Sequence, residues 1–356
     1  MKLYNMALLM DDDYITYESF RDKGENTVLR RNVVLCDEYL LPEKVTTITN
    51  AYHTGVQYRS ANLSVLPLFD ASAEEFNASV LSYNTNTGTW SNKYEYDNPE
   101  YRVFYTYRKR INDHSTLWIV ERSSTERSST EPQCIFTDPH IHYEDPRMFS
   151  FKGQLHISYS FWGSESITKW TDPSCSISIG FTEFTLKNDG QFEKGQTYVP
   201  AYGDNTVPGK KEKNWTFFEY GPSLLCLYSV APLTIFSYNP PTNMCMPVPC
   251  VKQSINLSLR GGTPPICIGN KYVTFVHCSD YLVYKLIFEM TALGFQTTHI
   301  SKFPIAIGIT TIRDSMGRQY NTNKILFPCG AIYDRDQEEY LISMGLNDKL
   351  NAIYFL

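Results

Sequence analysis

Apolar residues in this chain alternate with polar ones far more often than they recur at helical spacing. From Gln154 to Phe161 the order QLHISYSF puts Leu155, Ile157, Tyr159 and Phe161 on one face of an extended segment and His156, Ser158 and Ser160 on the other, which predicts a half-buried strand. The same period of two recurs over 102–108, 116–121, 176–184, 224–230, 272–277, 281–288 and 340–344. Turn-forming clusters, KNDG, NPPTN, GGTPP and DRDQ, separate such runs. Helical periodicity is nearly absent, and its best candidate is the stretch from Ala71 to Ser82.

Many short strands punctuated by turns predict an all-β sandwich, barrel or propeller. Polar, motif-like turns fall at Asn77, Asp145, Asn214, Gly262 and Gly330, separated by 68, 69, 48 and 68 residues. That interval is somewhat longer than the roughly 40–50 residues of a typical propeller blade. It suggests five four-stranded blades with long connections, one domain over 1–356 in which residues 1–75 form an N-terminal closing region without a recognised motif. Residues 121–130, ERSSTERSST, duplicate a five-residue unit with no apolar member and read as a solvated loop.

Composition adds constraints. Hydrophobic residues make up 42% and aromatics 14%, so core material is ample. A net charge of −6 offers no basic field for a nucleic-acid backbone. No apolar run approaches the roughly 20 residues of a membrane span. The N-terminal MKLYNMALLMDDD reads as a first strand, not a signal peptide. The nine cysteines are odd in number, scattered and free of CxxC pairs, which fits reduced thiols in a cytoplasmic compartment. Without a leader, the sequons at Asn62, Asn77, Asn214 and Asn256 read as chance.

The densest chemistry lies at 140–151, HIHYEDPRMFSF. His140, His142 and Glu144 are in phase on an extended segment, which permits a metal face, but no other His/Cys cluster completes a shell, and the residues are read as holding none. In the EDPR part, Pro146 biases Asp145 toward an extended conformation, and Arg147 is placed to brace a carboxylate. On these four residues alone, a turn salt bridge and an acid/base site are equally good readings.

Four companion motifs change that balance. FNAS (76–79) with YRVFYTYR (101–108), EDPRMFSFKGQLHISYS, EKNWTFFEYGPSLLCLYSVAP (212–232), LRGGTPPICIGNKYVTFVH (259–277) and FPCGAIYDRDQEEYLISMGLND (327–348) follow one another in an order that resembles glycoside hydrolase family 130, the mannoside phosphorylases and mannosidases. They also resemble the related β-mannosyltransferases. The resemblance implies a five-bladed β-propeller with an axial sugar site, and Asp145 matches the family's acid, which protonates the glycosidic oxygen through a sugar hydroxyl. A relay of that kind suits a buried carboxyl group beside Glu144.

Asn77 and Ser79 match an Asn-Pro-Ser motif that hydrogen-bonds the sugar, with Ala78 in place of the proline. Arg147, Lys213, Asn214 and Arg260 match polar positions around the sugar and its phosphate or donor, and Arg108 and Glu144 are expected among the substrate-binding residues beside them. His277 matches a histidine position at which Cys278 replaces the usual following glycine, and Asp348 matches a sugar-binding aspartate near the axis. Trp215 and Tyr228 supply rings that could stack on a sugar or fill a core.

A phosphorylase or transferase must bind phosphate, for which Arg147, Lys213 and Arg260 are suited, with Lys210 and Lys211 nearby. A hydrolase needs a second carboxylate as base for water, and none stands out. The resulting expectation is an intracellular inverting glycosyltransferase acting on an oligosaccharide or glycan, with a sugar phosphate or nucleotide sugar as donor and no cofactor. A phosphorylase or hydrolase of the same family is the alternative, and a non-catalytic carbohydrate-binding propeller the rival from another class. Mannose as the sugar rests on the resemblance alone.

Overall fold

The computed structural model describes residues 74–355 apart from 96–97, 122–130, 203–209, 256, 280–281, 304–310, 314–318, 322–325 and 347–349, and before position 74 it describes the backbone of short strands. The described residues are all-β, without a helix, and form a five-bladed β-propeller. Asp348, most of the ERSSTERSST loop and all but Met10–Asp11 of the N-terminal MKLYNMALLMDDD lie outside the described residues.

Each blade is built on an antiparallel meander whose first strand lies at the propeller axis; Thr89–Ser91 adds to the inner strand of the first blade, and Lys93–Tyr94 runs parallel to that of the fifth. The inner strands are Glu74–Asn84, His142–Phe151, Thr216–Tyr220, the interrupted pair Leu259–Arg260 and Ile266–Ile268, and Leu326–Asp334. The second blade continues through Gln154–Trp162, Ser178–Leu186 and Phe192–Tyr198, and the third through Ser223–Val230, Leu233–Asn239 and Met244–Val248. In the fifth, Glu339–Leu346 and Leu350–Phe355 are followed by Ser60–Val65 and Thr27–Val34 from the other end of the chain. Leu63, Ser64 and Val65 pair with Tyr354, Ile353 and Ala352, so the two chain ends share one sheet.

From Glu74 onward, the stretch expected as the best helix candidate is instead the inner strand of the first blade, paired along Tyr101–Ile111. Every residue from Glu75 to Leu81 is buried, so the segment has no polar face to give a helix its outer stripe. Ladder partners in its own blade and packing from the neighbouring blades then decide what local propensity left open.

Gln154–Trp162 also departs from expectation. His156, Ser158 and Ser160 are as buried as Leu155, Ile157 and Tyr159. A blade is sandwiched between two others, so both faces of a middle strand are covered. The apolar face joins one cluster with Trp90, Phe104, Leu117 and Phe136, while His156 stacks on Phe149 at 5.2 Å.

All the described cysteines are free thiols. No helix of the described residues is long and apolar enough to cross a membrane.

Candidate functional site

The polar landmarks of the sequence occupy the same place in successive inner strands, where the ladder breaks. Phe76 pairs with Arg108 and Ser79 with Thr106, leaving Asn77 and Ala78 opposite one residue; Glu144 pairs with Ser160 and Arg147 with Ser158, leaving Asp145 and Pro146 opposite one. These are β-bulges, the device by which a strand turns a side chain out of its pleat. Asn214 lies two residues before the third inner strand, Gly261–Pro265 interrupt the fourth, and the fifth slips between Pro328 and Gly330.

Asn77, Asp145 and Asn214 all have left-handed backbones, with φ of 58°, 50° and 64°. Asn and Asp tolerate this region better than other residues with a side chain. For Asp145 it corrects the extended conformation that Pro146 favours. The missing N–H of Pro146 falls in the bulge, where no ladder bond is lost, and the backbone is held by its neighbours: Arg147 Nη1 donates to the Asp145 carbonyl at 3.0 Å. Left-handed non-glycine backbone costs of order 1–3 kcal/mol and concentrates at functional sites.

The bulges lock onto one another. Asn77 Nδ2 donates to Asp145 Oδ1 at 3.0 Å, and the Met148 N–H donates to Ser79 Oγ at 2.9 Å. Arg147, 2% exposed, donates from Nε to the Gly262 carbonyl at 2.7 Å and from Nη2 to Asn214 Oδ1 at 3.3 Å. One guanidinium therefore joins the second, third and fourth blades at the axis. Asn351, which sequence reasoning did not single out, accepts the Ala78 N–H at 2.8 Å and ties the fifth blade to the first. Gly345 lies where any Cβ would overlap Asn77 Oδ1, and Gly330 where one would overlap the Val80 N–H and Ser79 Oγ.

Asp145 is 8% exposed. Among the described residues no donor meets its second oxygen, and that oxygen is not sealed from solvent. Glu144 beside it is fully engaged: Oε1 accepts from Arg108 Nη2 at 3.0 Å and Trp162 Nε1 at 3.2 Å, and Oε2 from Lys213 Nζ at 2.8 Å. Burial works to raise the Glu144 pKa, but Arg108 and Lys213 outweigh it and hold the carboxyl down at about 2. Burial likewise pulls on Lys213, yet the charges of Asp145 and then Glu144 raise it above the usual lysine value. Its side chain is 39% exposed, so this ammonium is bonded to Glu144, lies within the field of Asp145 and still faces solvent.

The other expected site residues separate into two groups. Arg108 packs its guanidinium over Phe76 at 4.8 Å and grips Glu144, Arg147 is a buried clasp, and Trp215 is a core ring that meets Tyr228 edge-on at 5.2 Å and donates to Glu212 at 3.1 Å. Trp215 is thus used in packing and offers no face to a sugar. His277 is buried against Phe327, and burial, with Arg147 and Arg260 nearby, pushes its pKa down to about 3, so it is neutral. Lys213 and Arg260 are the members with exposed side chains.

The two histidines of HIHYEDPRMFSF, His140 and His142, part company. His142 stacks flat on Trp162 at 4.0 Å and meets His114 edge-on at 5.1 Å, whereas His140 lies outside the strand and is exposed. Among the described residues no group of three or more His, Cys, Asp or Glu could hold a metal ion.

No family model and no curated protein matches the chain. Solved structures do match. A candidate glycoside hydrolase from Parabacteroides distasonis superposes with a TM-score of 0.52 and 12% identity, over 80% of this chain and 86% of its own. A glycosyl hydrolase from Bacteroides ovatus gives 0.50 and 12%, over 79% and 84%. The matches include a structure from the GH130 family of mannoside phosphorylases, at 0.47 and 11%, over 82% and 90%. At these identities the shared feature is the propeller fold.

Proposed function

We propose that the protein is a carbohydrate-active enzyme that makes or breaks a glycosidic bond at the propeller axis, with Asp145 as its acid or base. The observation that carries this reading is the state of Asp145: a nearly buried carboxyl group on a left-handed bulge, one oxygen held by Asn77 from the neighbouring blade, the other left for a ligand. A turn salt bridge would engage Asp145 with Arg147, but the guanidinium takes the backbone carbonyl and leaves the carboxylate unpaired by it. Two neighbours of this fold are named as glycoside hydrolases, which supports the same class.

Glycosyl transfer from a phosphorylated donor is the reading we favour. Glu144 is a poor base for water, because two cations and an indole N–H occupy its oxygens. Lys213 and Arg260, exposed at the ends of the segments that carry Asn214 and Gly261, are suited to an anionic group on the donor. Phosphorolysis at the same carboxylate is the second reading, favoured by these same cations, since inorganic phosphate needs no other base.

The test is to incubate the protein with nucleotide sugars, sugar 1-phosphates and manno-oligosaccharides, with and without phosphate, alongside Asp145→Asn. Transfer from a nucleotide sugar, lost in the variant, supports the favoured reading. Phosphate-dependent release of a sugar 1-phosphate replaces it with the second. Saccharide binding without turnover in any mixture leaves a binding propeller.

A further inference from the structure

The second blade carries an insertion on the site's side of the propeller. In the first and third blades a two-residue turn joins the second strand to the third, from Ile111 to His114 and from Val230 to Leu233. In the second blade residues 163–177 make the same connection, and they have a small core of their own, in which Trp162, Cys175 and Ile177 are buried with Ile167 packed against them. Reciprocal backbone bonds between Ser164 and Ile167, a turn closed by Asp172 N–H on the Lys169 carbonyl, and two bonds from Ser174 to Asp172 Oδ1 brace it further.

Within that turn stands Trp170, 58% exposed although its own loop has an apolar core a few residues away. Lys211 meets this residue from the neighbouring segment, with Nζ over one face of the indole at 5.0 Å from the ring centroid and donating to the Trp170 carbonyl oxygen at 3.2 Å. Lys211 belongs to the segment that leads to the third blade, bridged to the loop at Ile177. On that segment Lys210 pairs with Glu212 at 3.0 Å, so these two share one side, and alternation puts Lys211 and Lys213 on the other. Lys211 holds Trp170, and Lys213 holds Glu144 beside Asp145. The two anchor points are two residues apart, about 7 Å along an extended chain.

We infer that Trp170 is the stacking platform of a second sugar subsite, so that the ligand is an oligosaccharide with one unit at Asp145 and a neighbouring unit on the indole. This rests on the glycosidic reading of the axial site and adds to it the length of the substrate. A solvent-facing aromatic ring offers a sugar an apolar face on the side away from Lys211, and the hydrogen-bonded loop and the Lys211 contact reduce the freedom it has to lose.

Titration calorimetry on the full chain with mannotriose, cellotriose and xylotriose, each against its monosaccharide, tests this. The expected result is at least one trisaccharide binding about tenfold or more tightly than its monosaccharide. Trp170→Ala removes that increment and leaves monosaccharide affinity unchanged, while Trp170→Phe keeps most of it. If Trp170→Ala retains the full increment, or if no trisaccharide exceeds its monosaccharide, the subsite is overturned and the axial reading stands. If no saccharide of either length binds the wild type, the glycosidic reading falls as well.

Discussion

The side-chain amide of Asn77 and the carboxylate of Asp145 meet at 3.0 Å, bulge to bulge, across the seam between the first two blades. Both residues are left-handed and nearly buried, so the bond fixes the direction of the carboxylate. Asn77→Gly keeps the backbone freedom and deletes the hold; turnover is expected to fall about tenfold or more through kcat, with KM little changed. Asn77→Ala adds left-handed strain of roughly 1 kcal/mol and should melt lower than the glycine variant. Equal melting temperatures, measured by calorimetry, would contradict the strain argument.

Gly345 faces Asn77 from the fifth blade, where a methyl group overlaps Asn77 Oδ1. Gly345→Ala must push Asn77 aside or open the seam, and overpacking of this kind costs about 1–3 kcal/mol. Urea denaturation should show that loss, and the displaced amide should lower turnover alongside it. A variant with wild-type stability and activity would mean that the seam yields freely.

Glu144 links Arg108 of the first blade to Lys213 before the third. Glu144→Gln leaves both cations without their counter-charge; because Lys213 is partly exposed, the expected loss is roughly 2–3 kcal/mol, below that of a fully buried pair. The depressed carboxyl pKa of about 2 means its stabilisation is complete above the ordinary value near 4.5 and is lost as pH falls toward 2. Wild type and Glu144→Gln should therefore converge in stability as the pH is lowered through that window.

His277 acts in a different range. Its pKa is pushed from 6.5 down to about 3, so the folded protein keeps it neutral while the unfolded chain binds a proton below 6.5. The resulting stability is full above pH 6.5 and declines between 6.5 and about 3. His277→Gln should lose less stability than wild type between pH 7.5 and 4.5, as read from urea midpoints. His156, lowered to about 4 by burial, acts in the same direction, so the double variant should be flatter still.

Much of this was legible in the chain. Alternation located most strands, because a strand with one apolar face announces itself at period two. The landmarks at Asn77, Asp145, Asn214, Gly262 and Gly330 marked the inner strands, because bulges and close approaches demand residues that accept left-handed backbone or lack a Cβ. The misread segments, the inner strand at Glu74–Asn84 and the polar face of Gln154–Trp162, are those that neighbouring blades bury on both sides.

By itself, then, the sequence determined the all-β character, the strand spacing and the residue types at the axis, since these follow from local pattern and backbone preference. It could not say which polar groups would be consumed by one another. Arg147, Ser79, Glu144 and Trp215 look equally available as letters; the tertiary structure commits the first three to partners on another strand or loop, packs Trp215 against Tyr228 of the next strand, and leaves Asp145 with an open oxygen. Asn351 and Trp170 carry no motif, and their importance comes from contacts that span 273 and 41 residues of chain. Those contacts exist only once the ring brings the blades together, which no local pattern encodes.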